Sequence, residues 1–363
     1  MSKKGDARIP VGILGATGVV GQRLVRLLED HPWFRLATVT ASDRSAGLPY
    51  AEAARWIQSG PIPEEAADLV VRPTEPMAGV PMVFSALDSS VAGPLEKGFA
   101  EAGILVVSNA SNHRMGRQVP LLVPEVNPEH LDLVDGQEYP EGGGIITNPN
   151  CSTIGLSLVL GPLHAAFGVE AVQVVTMQAL SGAGLPGHAA LEMQDNVIPF
   201  IPGEEEKLEE ETLKILGVRG EGGVTPAAFP VSAQCNRVPV SDGHTALVSL
   251  KFVEPVSPEE AAAHLASFQG LPQELGLPFA PRRPIHVLSD HRHPQPRLHR
   301  DLEEGMAVSV GRIRPCRIND LRMVILSHNT VRGAAGGALL CGELAVAEKK
   351  IPGVRPPVPT DDR

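Results

Sequence analysis

Cys151 stands in the run Asn148-Pro149-Asn150-Cys151-Ser152-Thr153. An apolar strand-like stretch, Gly144 to Thr147, enters this run, and an apolar helix-like stretch, Ile154 to Phe167, leaves it. That order puts a thiol at a helix N-terminus, where free N–H groups and the positive dipole end favour the thiolate. A small buried hydrophobe is the plainer alternative for such a cysteine. Near the start of the chain, Gly12 to Gly21 places glycines three apart. Gly15, Thr17, Gly18, Val19 and Val20 would form the turn and helix start that receive a pyrophosphate. The spelling departs from G-x-G-x-x-G by one residue. A ligand-free turn is the alternative, but the motif has the strand before it and the helix after it that it requires. A cysteine nucleophile and a dinucleotide site together point to oxidation or reduction at the acyl level through a thioester.

Acyl-enzyme chemistry also needs a proton carrier and a way to hold the acyl oxygen. His244 follows the turn Ser241-Asp242-Gly243 and leads into a strand. It is the candidate carrier, although alone it would read as a turn histidine. His291, His293 and His299 sit in or beside a Pro-rich segment and look solvated. Past the second strand, Ser42, Arg44 and Ser45 suit a 2′-phosphate and favour NADP(H). Asp43, among them, could instead serve the ribose of NAD.

The elements that must carry these groups are legible from periodicity. Ile9–Leu14, Arg35–Ala41, Met82–Ala86, Ile104–Val107 and 144–147 read as strands. Helical spacing lies between them, in Val20, Leu24, Leu27 and Leu28 and again over Val91–Ala102. This predicts an α/β fold: a Rossmann-type dinucleotide-binding domain over 1–150, a doubly wound parallel sheet. A last helix, starting near Thr330 and running to about Lys349 within the segment 330–363, would complete that domain. Residues 151–329 predict an α+β catalytic and dimerisation domain with a mostly antiparallel sheet. Its expected strands are Val172–Gln178, Ala246–Val253 and Ala307–Ile313, with a helix over Glu204–Leu216. Pro272–Pro296 reads as irregular connection.

With 363 residues and a net charge of −11, the chain is expected to bind neither nucleic acid nor an anionic membrane as its main partner. No apolar run approaches the roughly 20 residues of a membrane span. The basic start meets a strand instead of a signal-peptide core. Four cysteines without CxxC spacing read as reduced thiols of a cytoplasmic protein, with no metal site expected.

Four runs then occur in order: 148–153 around Cys151, Gln178-Ala179-Leu180-Ser181-Gly182-Ala183-Gly184, Arg237 to His244, and Asn329-Thr330-Val331-Arg332-Gly333-Ala334-Ala335-Gly336-Gly337. Together they resemble aspartate-semialdehyde dehydrogenases, in the branch typical of archaea and fungi, across essentially the whole chain. The resemblance implies NADPH-dependent reductive dephosphorylation of L-aspartyl 4-phosphate to L-aspartate 4-semialdehyde, a step of lysine, threonine and methionine biosynthesis. It implies that Cys151 is the nucleophile, His244 the general acid/base and Gln178 the residue that positions the acyl intermediate. Arg237 would pair with the substrate carboxylate, for which a guanidinium fork is suited. Glu204 and Lys207, three apart and on one face if helical, would meet the amino-acid substrate, and Arg114 its phosphate. Ser181, Gly182 and Asn329 would lie near the nicotinamide. The resemblance also implies a homodimer or homotetramer built through the second domain. The same branch is similar to malonyl-CoA reductases, so an acyl-CoA substrate is the nearest alternative. A cofactor-binding protein without catalysis is a further one.

Overall fold

Strand β1 (Ile9–Leu14) is buried at every position but Pro10, as a parallel strand covered on both faces must be. In the computed structural model, which describes residues 7–357, β1 is the second strand of a five-stranded sheet ordered β2-β1-β3-β4-β5. Its other strands are β2 (Phe34–Thr40), β3 (Met82–Ser85), β4 (Leu105–Ser108) and β5 (Gly144–Thr147). All four pairings are parallel. Helix α1 (Val19–Leu28) follows the glycine turn and buries Gly21, Leu24, Val25 and Leu28. Helix α2 (Ser89–Glu101) is capped by Asp88, whose carboxylate accepts the Ser90 N–H.

After β5 the chain turns directly into helix α3 (Cys151–Phe167). Apolar residues on all its sides mark a buried helix. Ile154, Leu158, Val159 and Leu163 pack against the second sheet. That sheet has six strands in the order β11-β12-β13-β10-β6-β9. They are β6 (Val169–Gln178), β9 (Val231–Arg237), β10 (His244–Phe252), β11 (Ile285–Leu288), β12 (Val308–Pro315) and β13 (Leu321–Ser327). The small ribbon β7 (Val218–Gly220) and β8 (Gly223–Thr225) lies apart. Helices α4 (Glu204–Ile215) and α5 (Pro258–Ser267) complete this half.

Three expectations need correction. The second sheet is mixed. It is antiparallel through β12, β13, β10 and β6, but both edges are parallel, β9 to β6 and β11 to β12. The chain leaves β6, crosses through α4 and returns at β9, and a crossover of that length brings a strand back parallel. Within 272–296, taken as irregular, lies the edge strand β11. It is four residues long and follows Pro284, so Pro and His content hid it. The last helix opens as a π-turn, Val331–Ala335, before helix α6 (Gly336–Ala347). Gly333 N–H bonds the His328 carbonyl and Ala335 N–H bonds that of Thr330, the i→i−5 pattern common at functional sites. Every residue of α6 from Gly336 to Val346 is buried. Ala338, Leu339, Cys341 and Leu344 share one core with Val11, Ile13, Val39, Phe84 and Val107. The expected segment 330–363 runs past this helix, and residues 358–363, like 1–6, lie outside the described residues.

Candidate active site

Cys151 is the first residue of α3, and Asn150 is its N-cap. The Asn150 Oδ1 accepts the N–H groups of Ser152 (2.9 Å) and Thr153 (3.4 Å). This is the role for which asparagine is preferred at that position. The Cys151 Sγ lies 3.2 Å from His244 Nε2. His244 opens β10, which pairs with β6, the strand that ends at Gln178. The sheet register therefore carries the histidine to the cysteine across 93 residues of sequence.

The other ring nitrogen settles the tautomer. His244 Nδ1 accepts the Ala179 N–H at 3.0 Å. A backbone N–H can only donate, so the neutral ring carries its proton on Nε2, facing sulfur. Turning the ring over would lose both contacts. Burial, then Arg237 and His328, hold the ring's pKa down at about 3. Burial and, after it, Glu204 push the Cys151 thiol up to about 12, against the pull of Arg114 and Arg237. The helix terminus expected to favour a thiolate is present, but burial outweighs it. The resting pair is a thiol beside a neutral imidazole.

Cys151 opens on a cavity of about 270 Å³. Among the residues singled out in the sequence, Val19, Val20, Arg114, Gln178, Ser181, Gly182, Glu204, Arg237 and Asn329 line it with Cys151. His244 stands behind the sulfur and faces a smaller cavity with Thr245 and Ser152. Lys207 is set back from the wall and reaches Glu204 Oε1 at 3.1 Å. Gly15, Thr17 and Gly18 form the adjoining turn and are not part of the wall. Ser42, Arg44 and Ser45 follow the end of β2, whose Thr40 carbonyl accepts the Ala16 N–H of the glycine turn.

Two arginines enter the wall with donors to spare. Arg237 gives Nη1 to the Ala179 carbonyl (2.7 Å), while its buried Nε has no partner among the described residues. Arg114 gives Nη1 to Glu211 (2.8 Å) and Nη2 to the Asn109 carbonyl (2.7 Å), and its Nε is likewise unpaired. Two guanidinium groups in one cavity wall make that wall suited to an anion. Between the arginines, Glu204 accepts from Asn150 Nδ2 (2.9 Å to each oxygen) and from Gln178 Nε2 (3.2 Å). Asn329 bonds the Gly243 N–H through Oδ1 and the Ser181 hydroxyl through Nδ2, both at 2.8 Å.

The glycine turn fits a dinucleotide. Gly15 has φ +75°, and a Cβ there would lie 2.7 Å from the Ala86 carbonyl oxygen. A Cβ on Gly21 would overlap the Gly15 carbonyl, so α1 can approach β1 only as glycine. The N-terminus of α1 has no side-chain cap, which leaves its first-turn N–H groups for a phosphate. Tyr50 Oη and Gln22 Nε2 brace the turn by donating to the carbonyls of Ala16 and Thr17, both at 2.8 Å.

Three residues of this site were not singled out from sequence. Asn150 had a readable signal, a capping residue before an apolar helix. Glu211 had a weaker one, two turns after Glu204 on the same face. Gly333 had none: a Cβ there would sit 2.8 Å from Cys151 Cβ, a long-range contact. Among the described residues, no group of three or more His, Cys, Asp or Glu is placed to hold a metal ion. No described helix is long and apolar enough to cross a membrane.

Two family models match the chain: the semialdehyde dehydrogenase NAD binding domain over residues 10–134 and the semialdehyde dehydrogenase dimerisation domain over 160–332. The chain is 50% identical to the aspartate-semialdehyde dehydrogenase of Methanothermobacter thermautotrophicus, over 93% of this chain and 98% of that one. It is 48% identical to that of Schizosaccharomyces pombe, over 93% and 97%. Among solved structures it resembles aspartate semialdehyde dehydrogenase with NADP from Candida albicans. That likeness has a TM-score of 0.88 at 44% identity and covers 95% of this chain and 100% of the other. It also resembles aspartate semialdehyde dehydrogenase II complexed with ASA from Vibrio cholerae, with a TM-score of 0.75 at 26% identity, covering 94% and 99%.

Proposed function

The chain belongs to the aspartate-semialdehyde dehydrogenase family, and we propose from that premise how its own residues divide the work. The activity is the NADPH-dependent reductive dephosphorylation of L-aspartyl 4-phosphate to L-aspartate 4-semialdehyde, in amino-acid biosynthesis. The names of the relatives favour this substrate over an acyl-CoA.

Cys151 is the nucleophile. Its thiol attacks the acyl carbon, the carbon–oxygen bond to phosphate breaks, and a Cys151 thioester and hydrogen phosphate result. The thiol proton leaves on the phosphate, so His244 need not keep it. With Nδ1 tied to Ala179, His244 acts as an Nε2–H donor to the sulfur and to the oxygen charge growing beside it, and proton exchange in the site passes through that nitrogen. The cap occupies the N–H groups of Ser152 and Thr153, which leaves the Cys151 N–H as the backbone donor for the oxyanion. Arg237 receives the substrate carboxylate on its free guanidinium edge, Arg114 the phosphate, and Glu204 with Lys207 the amino-acid end. Gln178, held by Glu204, steadies the acyl group.

NADPH, when bound, supplies the hydride. Gly15, Thr17, Gly18, Val19 and Val20 hold its pyrophosphate, and Ser42, Arg44 and Ser45 its 2′-phosphate. Ser181, Gly182 and Asn329 position the nicotinamide end, with Asn329 locked between Gly243 and Ser181. Residues up to 150 with the last helix form the cofactor domain, and 151–329 the catalytic domain.

The second domain is of the family's dimerisation type, and the chain forms oligomers. We assign the contact to the outer face of the mixed sheet. Val175 and Leu247, paired across β6 and β10, are 37% and 42% exposed there, and Val324 continues the row on β13. A homodimer buries this row once, and a homotetramer pairs two such dimers. The free cysteines suit the cytoplasm.

The observation that carries this reading is the Sγ–Nε2 pair at 3.2 Å opening on a cavity flanked by two buried arginines. Reduction of NADP by L-aspartate semialdehyde, measured with and without phosphate, tests it. Strict phosphate dependence is expected, and reduction that proceeds equally without phosphate refutes the acyl-phosphate assignment.

A further inference from the structure

Arg114 is carried on irregular chain after β4, yet its head is buried and holds two fixed partners. A loop arginine loses much rotamer freedom in such a place, so the loop as well as the head has to be held. Helix α4 does both. Glu211 Oε1 accepts from Arg114 Nη1 at 2.8 Å. Lys214, the next residue along that face, donates from Nζ to the carbonyls of Arg114 (2.5 Å), Gly116 (2.8 Å) and Val119 (2.8 Å). The second oxygen of Glu211 accepts the Asn150 N–H at 2.7 Å, and Asn150 is the cap in front of Cys151. One buried carboxylate thus spans the arginine and the start of the cysteine's helix. Glu211 and Lys214 are 2% and 5% exposed, and neither lines the cavity.

We propose that Glu211 is a positioning residue for acyl transfer: it sets the separation of Arg114 from Cys151, while Lys214 fastens the Arg114 loop to the same helix. The proposal rests on the reading of Cys151 as nucleophile and Arg114 as the phosphate's partner. Thiol and phosphate are bonded to one carbon in the tetrahedral intermediate. The distance between their two binding groups is therefore a catalytic quantity, and a misplacement of about 1 Å costs on the order of a hundredfold in rate. The chemistry of the junction demands a carboxylate. Both groups facing Glu211 are donors, so both of its oxygens must accept. Glutamine offers one acceptor and turns an NH2 group toward the other donor.

Steady-state kinetics of the full chain in the phosphate-dependent direction test this. Glu211→Gln is expected to lower kcat roughly ten- to a hundredfold and to raise the phosphate KM, with NADP affinity held within about twofold. Because Glu211 acts through Arg114, the same substitution in an Arg114→Ala background should change the phosphate KM little further, and the double variant should be strongly non-additive. Additive effects, or a Glu211→Gln enzyme with unchanged kcat and phosphate KM, overturn the proposal. Should Glu211→Gln fail to fold, Lys214→Met carries the test: a raised phosphate KM with intact NADP binding is expected, and an unchanged KM is the overturning result. A phosphate KM indifferent to Arg114→Ala alone removes the premise itself. That failure is distinct from a failure at Glu211.

Discussion

The two sides of the site are held by opposite means. On the cofactor side the chain approaches a ligand with backbone: Gly15 and Gly21 leave no room for a side chain, and Tyr50 and Gln22 support the turn from beneath. On the catalytic side the wall is a mesh of buried charged and polar side chains. Glu204, Arg114, Arg237, Glu211 and Asn150 bond one another or nearby backbone. The first wall tolerates loss of side chains and fails when volume is added. The second tolerates little loss, since each deletion strands a buried partner.

The largest effect separates chemistry from binding. Cys151→Ser keeps the shape of the catalytic wall but replaces the thiol with a far weaker nucleophile. Turnover should fall by roughly 10⁴-fold or more, while NADP still binds, because the cofactor wall is untouched. Turnover within a factor of about ten of the parent would exclude a covalent route. Next comes a buried pair behind the wall. Arg332, beside Gly333, forms two 2.6 Å bonds to Glu125, and both side chains are completely buried. Glu125→Leu leaves that guanidinium uncompensated and should destabilise the fold by about 3–5 kcal/mol, read by denaturant melts. Replacing both residues by apolar ones should recover much of the loss, and no recovery would mean that Glu125 acts through something other than the pair.

On the cofactor wall the matching experiment adds a group. Gly21→Ala puts a methyl into the Gly15 carbonyl and the Ala16 Cα, which pushes α1 away from β1 at about 1–3 kcal/mol. NADP affinity should drop about tenfold or more, whereas alkylation of Cys151 should proceed at the parent rate. An equal loss of both would show that the two walls are one mechanical unit.

This contrast also governs what could be read from sequence. The glycine turn is local: strand, turn and helix succeed one another in twenty residues, so both its shape and its ligand class were legible. Cys151 with its cap was legible for the same reason. The catalytic wall is assembled across long separations. His244 reaches the sulfur through the β10–β6 register, and Glu211 reaches Arg114 across 97 residues. For His244 the sequence offered a candidate that only the family motifs ranked, and Glu211 was not among the candidates at all. The ionisation state was illegible altogether. A helix terminus argues for a thiolate, and only the three-dimensional surroundings reveal that burial prevails. The edge strand β11 escaped because four residues carry little periodicity of their own, and β9 because its alternating run from Val231 to Arg237 holds a single β-branched residue.

That ionisation state gives the next prediction. An unfolded histidine titrates near pH 6.5 (roughly), while His244 is held at about 3 and His328 at about 4, each chiefly by burial. Between those limits the unfolded chain binds protons that the native one refuses, so stability is full above about pH 6.5 and falls as the pH drops toward 4. His244→Gln should flatten that slope in melts taken across the window. The rate of Cys151 alkylation should rise through pH 6–9 with no inflection near 6.5 (roughly, the free imidazole value). Such an inflection would mark a thiolate–imidazolium pair and undo the tautomer assigned from Ala179.

The smallest effect lies at the exposed margin of the cofactor wall. Arg44 follows β2 and is solvent-exposed. A 2′-phosphate there would be bound at the surface, where a single charge pair contributes up to about 1 kcal/mol and is weakened by salt. Arg44→Ala should therefore cost NADP about fivefold in affinity at low ionic strength. NAD, without that phosphate, should be unaffected, and the difference should shrink as salt is added. Equal losses for NADP and NAD would move Arg44 out of the phosphate site and leave Ser42 and Ser45 to read it. A loss far above tenfold (on the scale of a buried bidentate contact) would mean that the margin closes over the cofactor and behaves like the catalytic wall, a mesh of side chains in place of an open backbone cradle.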